Sequence, residues 1–265
     1  GIGEKKGFTL RAMQDMVFSN RQYAGDLWRD PLVSLCKTFG SVGLIPTTSG
    51  VVTSVGDACK VLAKWDLHEN AHSKGAILFR RFVDNLMGSG ITGTVTTDAN
   101  IAPYWQTPFD AKDAVHTPNG LNVADPQVAL ALGDAISDLR KANLPLDVAP
   151  DKVQGVHRHG KFIAIQGGEG DPNGEFNAIY APWHANGEGD VEEGSSFVQV
   201  VTWRSGSACP VARTILTYSE SSDPTNAHYD DQTKMFSKKK WIHDRFCASA
   251  IRADQNRTVT HLVGT

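Results

Sequence analysis

Apolar residues in the first 90 positions recur with the spacing of amphipathic helices. Leu10, Met13, Met16 and Val17 share one helical face, and Thr9 before them is a suitable N-cap. The same spacing recurs as far as residue 87, interrupted by a loop rich in Gly, Ser, Thr and Pro over residues 43–52, so this part of the chain is predicted to be all-α. Further helices are expected over residues 21–39, where Pro31 bends or splits the helix, over residues 54–65 beginning at Ser54 and Asp57, and over residues 73–87 beginning at Ser73.

The second half of the chain changes to the period-two spacing of strands. Residues 88–124 are rich in Gly, Thr and Pro without a clean period, and Asp125-Pro126 then predicts a helix that runs to about Ala142. Strands are expected to form two hairpins, 161–165 with 176–180 and 196–203 with 211–218, followed by a helix over 229–241. Helices followed by antiparallel strands predict an α+β fold. We divide the chain into a helical part (1–90), a loop excursion with one helix (91–150), and strands with a terminal helix (151–265).

Composition narrows the classes of function. The 265 residues are 40% hydrophobic and carry a formal net charge of −3. A nucleic-acid-binding protein needs a basic surplus on some face, and the only local one is Lys238-Lys239-Lys240. We therefore do not expect nucleic-acid binding. No run of 18 apolar residues is present and the first residues lack the pattern of a signal peptide, so we do not expect a membrane span either.

The four cysteines leave two alternatives open. Cys36, Cys59, Cys209 and Cys247 are too far apart for the CxxC pairs of zinc or thioredoxin sites. Their spacing allows two local disulfides, Cys36 with Cys59 and Cys209 with Cys247, if the compartment is oxidising. Four buried thiols in a reducing compartment are the other alternative.

The segment His68-Glu69-Asn70-Ala71-His72 matches the HExxH pattern of zinc peptidases. That chemistry requires both histidines on one helical turn and a further downstream ligand. Here the segment lies between two predicted helices, without the apolar flanks of a catalytic helix. We therefore interpret it as a solvated turn and expect no metal ligands, with a zinc hydrolase acting through His68, Glu69 and His72 kept as an alternative.

Residues Asp171, Asn173 and Glu175 imitate the beginning of a calcium-binding loop. Gly174 is misplaced for an EF-hand, and no bidentate glutamate closes the pattern. The segment is therefore interpreted as the turn of the first hairpin.

Several longer stretches carry a resemblance to a known family. They are Gly194 to Val201, Ile215 to Pro224, His228 to Ser237 with Trp241, and less specifically Phe8-Thr9, Met13-Gln14, Trp65-Asp66, Lys74-Gly75-Ala76 and His116 to Leu121. Together they resemble the C-terminal part of the penicillin acylase family of N-terminal-nucleophile hydrolases. The similar branch includes deacylases of lipopeptide antibiotics and acylases of acyl-homoserine lactones.

The resemblance implies a place in a larger processed enzyme. It implies that this chain forms part of a four-layer αββα sandwich and that the enzyme hydrolyses an amide bond to an acyl group, which we expect to be a fatty acyl. In the family a precursor cuts itself, and the serine exposed at the head of the β subunit is both nucleophile and, through its α-amino group, base. This chain begins with Gly1, so we expect no catalytic residue in it and interpret Asn20-Arg21 as structural.

The resemblance also implies partners, a location and a pocket wall. The partners are an α subunit, the N-terminal part of the β subunit and an acylated small molecule or lipopeptide. Secretion or a periplasmic location favours the two disulfides. No cofactor is expected in this chain, while a structural calcium elsewhere in the enzyme is allowed. Thr117 and Asn119 are the candidates for lining the substrate cleft, and a non-enzymatic scaffold module remains a further alternative.

Overall fold

A computed structural model describes residues 7–40, 43–88, 104–170, 173–187 and 189–264. It contains both helices and sheets, and the helices predominate in the first part of the chain, which confirms the predicted α+β class. The chain divides into two compact units: one contains residues 17–195, and the other contains residues 1–16 with 196–265. We call them the large and the small unit.

Four helices among the described residues of the large unit bury its main hydrophobic core. They are α2 (Tyr23–Thr38), α3 (Gly56–Lys64), α4 (Ala76–Leu86) and α5 (Pro126–Lys141). Helix α4 packs against α5, and α2 packs against α3. The aromatic rings of Trp28, Phe79 and Phe82 are fully buried and pack in this core. The centroids of Trp28 and Phe82 are 6.4 Å apart in edge contact, and Phe79 contacts Phe82 at a tilt. Aromatic pairs in such edge or tilted contact add to the free energy of area burial.

The ends of these helices differ in part from the expected caps. Asp125 caps α5 as predicted, since its side chain accepts a hydrogen bond from Gln127 N. Helix α2 continues through Pro31 without splitting. Ser73 does not cap α4, which begins after Gly75 with φ of 102°. Its hydroxyl instead donates to Asp66 Oδ2 over 2.9 Å.

Helix α3 likewise lacks the predicted side-chain cap. Its N-cap is Val55 rather than Ser54, and Asp57 pairs with Lys60 instead of capping backbone N–H groups. Short strands β1 (Leu44–Pro46) and β2 (Val52–Ser54) precede it as an antiparallel pair. Ser54 therefore ends a strand, which the polar sequence of this region did not indicate.

The remaining strands of the large unit form three small sheets. They are β3 (Trp105–Thr107), β4 (Asn119–Leu121), β5 (Gln154–Arg158), β6 (Lys161–Ala164), β7 (Ile179–Tyr180), β8 (Gly189–Asp190) and β9 (Glu193–Gly194). Strand β3 pairs with β4, β7 pairs with β9, and β5 lies between β6 and β8.

The predicted hairpin of 161–165 with 176–180 is wrong. Strand β6 pairs with β5 through a tight turn at His159 and Gly160, whose φ values are 49° and 70°. The Gln and Gly at the start of β5 weaken its strand signal, so the sequence pattern missed it. After β6, Gly167 and Gly168 are buried in the interior, and Gly174 N donates a hydrogen bond to the carbonyl of Gly170 over 2.7 Å.

The small unit contains the second predicted hairpin, which is confirmed. Strands β10 (Phe197–Trp203) and β11 (Pro210–Leu216) pair antiparallel along their whole length, and β12 (Ile242–Asp244) adds to the other edge of β11. Helix α6 (Asp231–Ser237) is shorter than predicted and ends before Lys239, which has φ of 55°. The unit also contains α7 (Ala248–Arg252), and α1 (Leu10–Val17) spans the boundary between the two units, capped by Thr9 as expected.

Both expected disulfides are present. Cys36 at the end of α2 is bonded to Cys59 in α3, with 6.1 Å between their Cα atoms. Cys209, just before β11, is bonded to Cys247, just before α7. Each bond joins two elements of the same unit, and the alternative of four buried thiols is set aside.

No helix among the residues that the structure describes is long and apolar enough to cross a bilayer.

Candidate functional site

Thr117 holds together the loop that follows β3. We call residues 104–124 the cleft loop, after the expectation that Thr117 and Asn119 line the substrate cleft. The Thr117 hydroxyl accepts a hydrogen bond from Asp110 N over 2.8 Å and donates to the carbonyl of Asp113 over 2.7 Å. Both partners belong to the 3-10 turn Ala111–Asp113 or its cap, so Thr117 closes the loop upon itself. Its polar atoms are occupied by the loop, and its role is to fix the shape of the loop.

Asn119, two residues after Thr117, is exposed to solvent. It is the first residue of β4 and pairs in register with Thr107, while Leu121 at the other end of the strand is buried. The Asn119 side chain is exposed, and its Oδ1 accepts from Gly120 N. An exposed carboxamide on a strand anchored at its far end is well placed to donate a hydrogen bond to the carbonyl of a ligand.

The same loop also exposes apolar side chains. Phe109 is 62% and Val115 is 74% accessible to solvent. At the base of the loop, Trp105 packs against Trp28 of α2 with 4.7 Å between ring centroids. The cleft loop therefore combines a buried aromatic base with apolar and amide groups that face solvent.

The HExxH segment does not form a zinc site of the peptidase type. Residues 66–75 are not helical, so the two histidines are not placed on one helical turn. His72 is 85% exposed and its Nδ1 lies 3.2 Å from Asp151, which agrees with a solvated turn. Glu69 departs from that prediction, because it is fully buried and forms an ion pair with Arg80 of α4. The middle residue of the motif is thus a structural anion.

Glu69 belongs to a buried polar core within the large unit. Four extended segments meet there: Gln22 N donates to Leu67 O, Glu69 N donates to Asn20 O, Gly167 N donates to Glu69 O, and Ile179 N donates to Gly168 O. Alternate residues of these segments point inward, so that buried polar side chains face one another. We call this set the polar core; its members are Asn20, Gln22, Glu69, Arg80, Gln154, Gln166, Asn173, Glu175 and Asn177.

Hydrogen bonds within the polar core join residues that are far apart in sequence. Arg80 donates to Gln154 as well as to Glu69, and Gln154 in turn donates to the carbonyl of Gly167 over 2.8 Å. Asn20 donates to Gln166 and accepts from Asn177. Such a network is specific because each member depends on several partners. Asn20 thus contributes to the fold, while Arg21 turns outward to pair with Asp26.

A pair of carboxyl groups, the buried Asp84 and the half-buried Glu169, lies beside the polar core. Burial raises the pKa of Glu169 to about 8, and the neighbouring charge of Asp84 adds to that effect. Burial likewise raises the pKa of Asp84, although Arg81 opposes the shift from 3.0 Å away. Arg81 also bonds to Asp138 of α5 and lies over the ring of Trp183. The pair therefore retains a proton at neutral pH.

The side chains that most often bind metal ions are those of His, Cys, Asp and Glu. Across the described ranges, no group of three or more His, Cys, Asp or Glu residues is arranged to hold a metal ion. What the described residues offer is a solvent-facing loop with an amide and apolar groups, and an interior polar network that fixes the fold.

Comparison with known proteins decides the family. The family model described as penicillin amidase matches residues 2–253. The chain belongs to the penicillin amidase family. It is 32% identical over 252 residues to an acyl-homoserine lactone acylase of Pseudomonas syringae pv. syringae, a match that covers 93% of this chain and 29% of the relative. It is also 32% identical over 259 residues to the aculeacin-A acylase of Actinoplanes utahensis, covering 96% of this chain and 30% of the relative.

These relatives are much longer than this chain. The chain spans about three tenths of the length of the curated acylases that it matches. Membership in the penicillin amidase family thus agrees with the resemblance carried by the sequence stretches.

Sequence reasoning missed most of the polar core. Four of its members carry a sequence signal: Asn20 is interpreted as a structural residue, Glu69 as part of a metal motif, and Asn173 with Glu175 as an imitation of a calcium-binding loop. Gln22, Gln166 and Asn177 are single amides in irregular segments, and no spacing rule marks them. Their only local signal is that Gln22 and Asn177 alternate with exposed residues, and this pattern occurs in loops as well as in strands.

Proposed function

We propose that this chain is the C-terminal portion of the β subunit of a secreted or periplasmic acylase. The enzyme hydrolyses the linear amide bond between an acyl group, fatty acyl by preference, and a lipopeptide, homoserine lactone or penicillin-type nucleus. The observation that carries the proposal is the match of more than nine tenths of this chain to two acylases.

The chain serves as scaffold and pocket wall in this proposal. The nucleophilic serine, its α-amino base and the oxyanion hole reside on another segment or chain. The cleft loop contributes Asn119 as a donor to the substrate carbonyl or nucleus, and Phe109 and Val115 as apolar contacts for the acyl chain. Thr117 keeps the loop in shape.

An exposed strand edge supports assembly with the rest of the enzyme. Strand β10 is the outer strand of its sheet, and no described residue pairs with its free edge. Its outward face carries Phe197 and Trp203, which are 58% and 63% exposed. Monomeric proteins seldom leave a long apolar edge strand uncovered. We assign the missing cover to the α subunit or to the N-terminal part of the β subunit.

Mass analysis and an activity assay test the proposal together. The full-length gene product, purified after processing, is expected to contain a chain with an N-terminal serine and to release fatty acid from an acyl-homoserine lactone or an aculeacin-type lipopeptide. Replacing that serine with alanine is expected to abolish release. A chain that hydrolyses these amides without any serine-headed partner contradicts the proposal.

A further inference from the structure

Two carboxylates of the polar core converge on one glycine. A Cβ atom at Gly168 would clash with carboxylate oxygens of both Glu69 and Glu175, so both side chains point at the space left by its missing side chain. Both are buried, and Arg80 donates to Glu69. Two carboxylates this close in a buried site repel each other strongly, and an additional positive charge there lowers that repulsion.

Unpaired amide oxygens lie in the same cluster. Gln22, Asn173 and Asn177 are each at most 1% exposed, and the side-chain oxygen of each accepts no hydrogen bond from any described residue. Gln22 is held against the carboxylates, since its Nε2 donates to Glu69 over 2.7 Å. Buried carbonyl oxygens normally find a donor or a cation, because leaving them unpaired costs free energy.

The chain after Gly170 directs these groups inward together. Asn173, Glu175 and Asn177 are buried, whereas Gly174 and Phe176 between them are exposed. Asn173 is also tied to α2, because its carbonyl accepts from Ala24 N over 3.0 Å, just after Gln22. The amide of Gln22 and the side chains of this segment therefore face the same interior.

We propose that this part of the polar core binds one Ca²⁺ ion. The ligands are the carboxamide oxygens of Gln22, Asn173 and Asn177 and a carboxylate oxygen of Glu175, completed by water. A donor set composed only of oxygen, mostly neutral, selects a hard cation over a transition metal. Mg²⁺ dehydrates reluctantly and demands a regular octahedron, so the irregular set favours Ca²⁺.

Metal content and thermal unfolding of the processed enzyme test the site. The enzyme is treated with a chelator, returned to buffer with or without millimolar CaCl₂, and compared with E175Q and with N256A, whose side chain is exposed. We expect E175Q to hold one equivalent of calcium less than wild type, whatever other calcium the enzyme contains. We expect N256A to match wild type, and MgCl₂ not to replace CaCl₂.

Calcium should change the order of stability of wild type and E175Q, which a purely structural role for Glu175 does not predict. Without calcium, E175Q should be at least as stable as wild type, because one of the two facing carboxylates is neutral. With calcium, the Tm of wild type should rise by about 2–4 °C and that of E175Q should not.

N173D gives an independent measurement if E175Q fails to fold. The added carboxylate is expected to tighten calcium binding about tenfold. Equal calcium content in wild type and E175Q, or no change in affinity for N173D, overturns the site and leaves ordered water as the occupant of the polar core.

Discussion

The polar core and the cleft loop both concentrate polar side chains of the large unit, and they use hydrogen bonds in opposite ways. In the polar core the bonds join distant segments, as Asn20 joins Gln166 and Arg80 joins Gln154. In the cleft loop they are local, as when Thr117 bonds to Asp110 and Asp113. A distant bond fixes the fold and a local bond fixes one loop. Glu69, which lies in a sequence motif of catalytic type, therefore stabilises the fold, whereas Asn119, which lies in no such motif, faces solvent.

The largest effect should come from breaking the buried ion pair. Replacing Glu69 with alanine leaves Arg80 buried without its carboxylate, which we expect to cost about 3–5 kcal/mol of unfolding free energy. Denaturant unfolding of the processed enzyme measures the loss. The matched control is H72A, because His72 belongs to the same motif but is exposed.

The same pair of variants separates architecture from zinc chemistry. H72A should retain wild-type stability and, under the proposed function, wild-type acylase activity. A loss of activity in a fully folded H72A enzyme, together with bound zinc, would revive the zinc hydrolase that the geometry of the segment does not favour.

Filling the space at Gly168 should be the next most costly change. A Cβ in G168A meets the carboxylates of Glu69 and Glu175, and we expect a loss of about 3 kcal/mol because the packed core must shift. G56A is the control, since a Cβ at Gly56 meets nothing within 4 Å. Similar Tm values for the two variants would mean that the polar core is looser than the bonds between its residues indicate.

Protonation of the acid pair should make stability fall with rising pH. The pKa of Glu169 is about 8 in the folded chain and ordinarily 4.5, so the unfolded chain releases this proton first. The contribution is fully present below about pH 4.5 and is lost as pH rises to about 8, on the order of 5 kcal/mol at most. E169Q should remove that decline from a pH series of denaturant unfolding curves, whereas E192Q, which changes an exposed carboxylate, should keep it.

The smallest effect on stability, and the clearest on function, is expected at the cleft loop. N119A removes an exposed amide and should change the unfolding free energy by no more than about 0.5 kcal/mol. Under the proposed function it should raise KM for acyl-homoserine lactone about three- to tenfold with little change in kcat, because it removes a binding contact. Unchanged KM in N119A would place the substrate elsewhere and assign the cleft loop to packing.

Much of the fold could be predicted from sequence because its helices carry strong local signals. The apolar faces of α4 and α5, and the Asp125-Pro126 start of α5, are visible without any partner. The pairing of β6 could not be predicted, since β5 contributes Gln154 and Gly155 where a strand pattern expects apolar residues. Their choice follows from tertiary contacts: Gln154 bonds to Arg80, and a Cβ at Gly155 would meet the Ile163 carbonyl.

The candidate site divides in the same way. Thr117 and Asn119 came from the family resemblance, because a Thr-Pro-Asn-Gly stretch carries no chemistry of its own. The polar core depends on which amides face which carboxylates, and that information exists only in three dimensions. Glu69 shows the hazard: its neighbours in sequence indicate a metal motif, and its neighbours in space identify a buried ion pair.

The Cys209–Cys247 bond has a practical consequence for proteolysis. Residues 222–228 form an exposed stretch between the two bonded cysteines. A protease that cuts this stretch leaves two fragments covalently joined, so a denaturing gel without reductant shows an unchanged band. Only a reduced gel reveals the nick, and an enzyme clipped there keeps its last strand and helix tethered to the sheet.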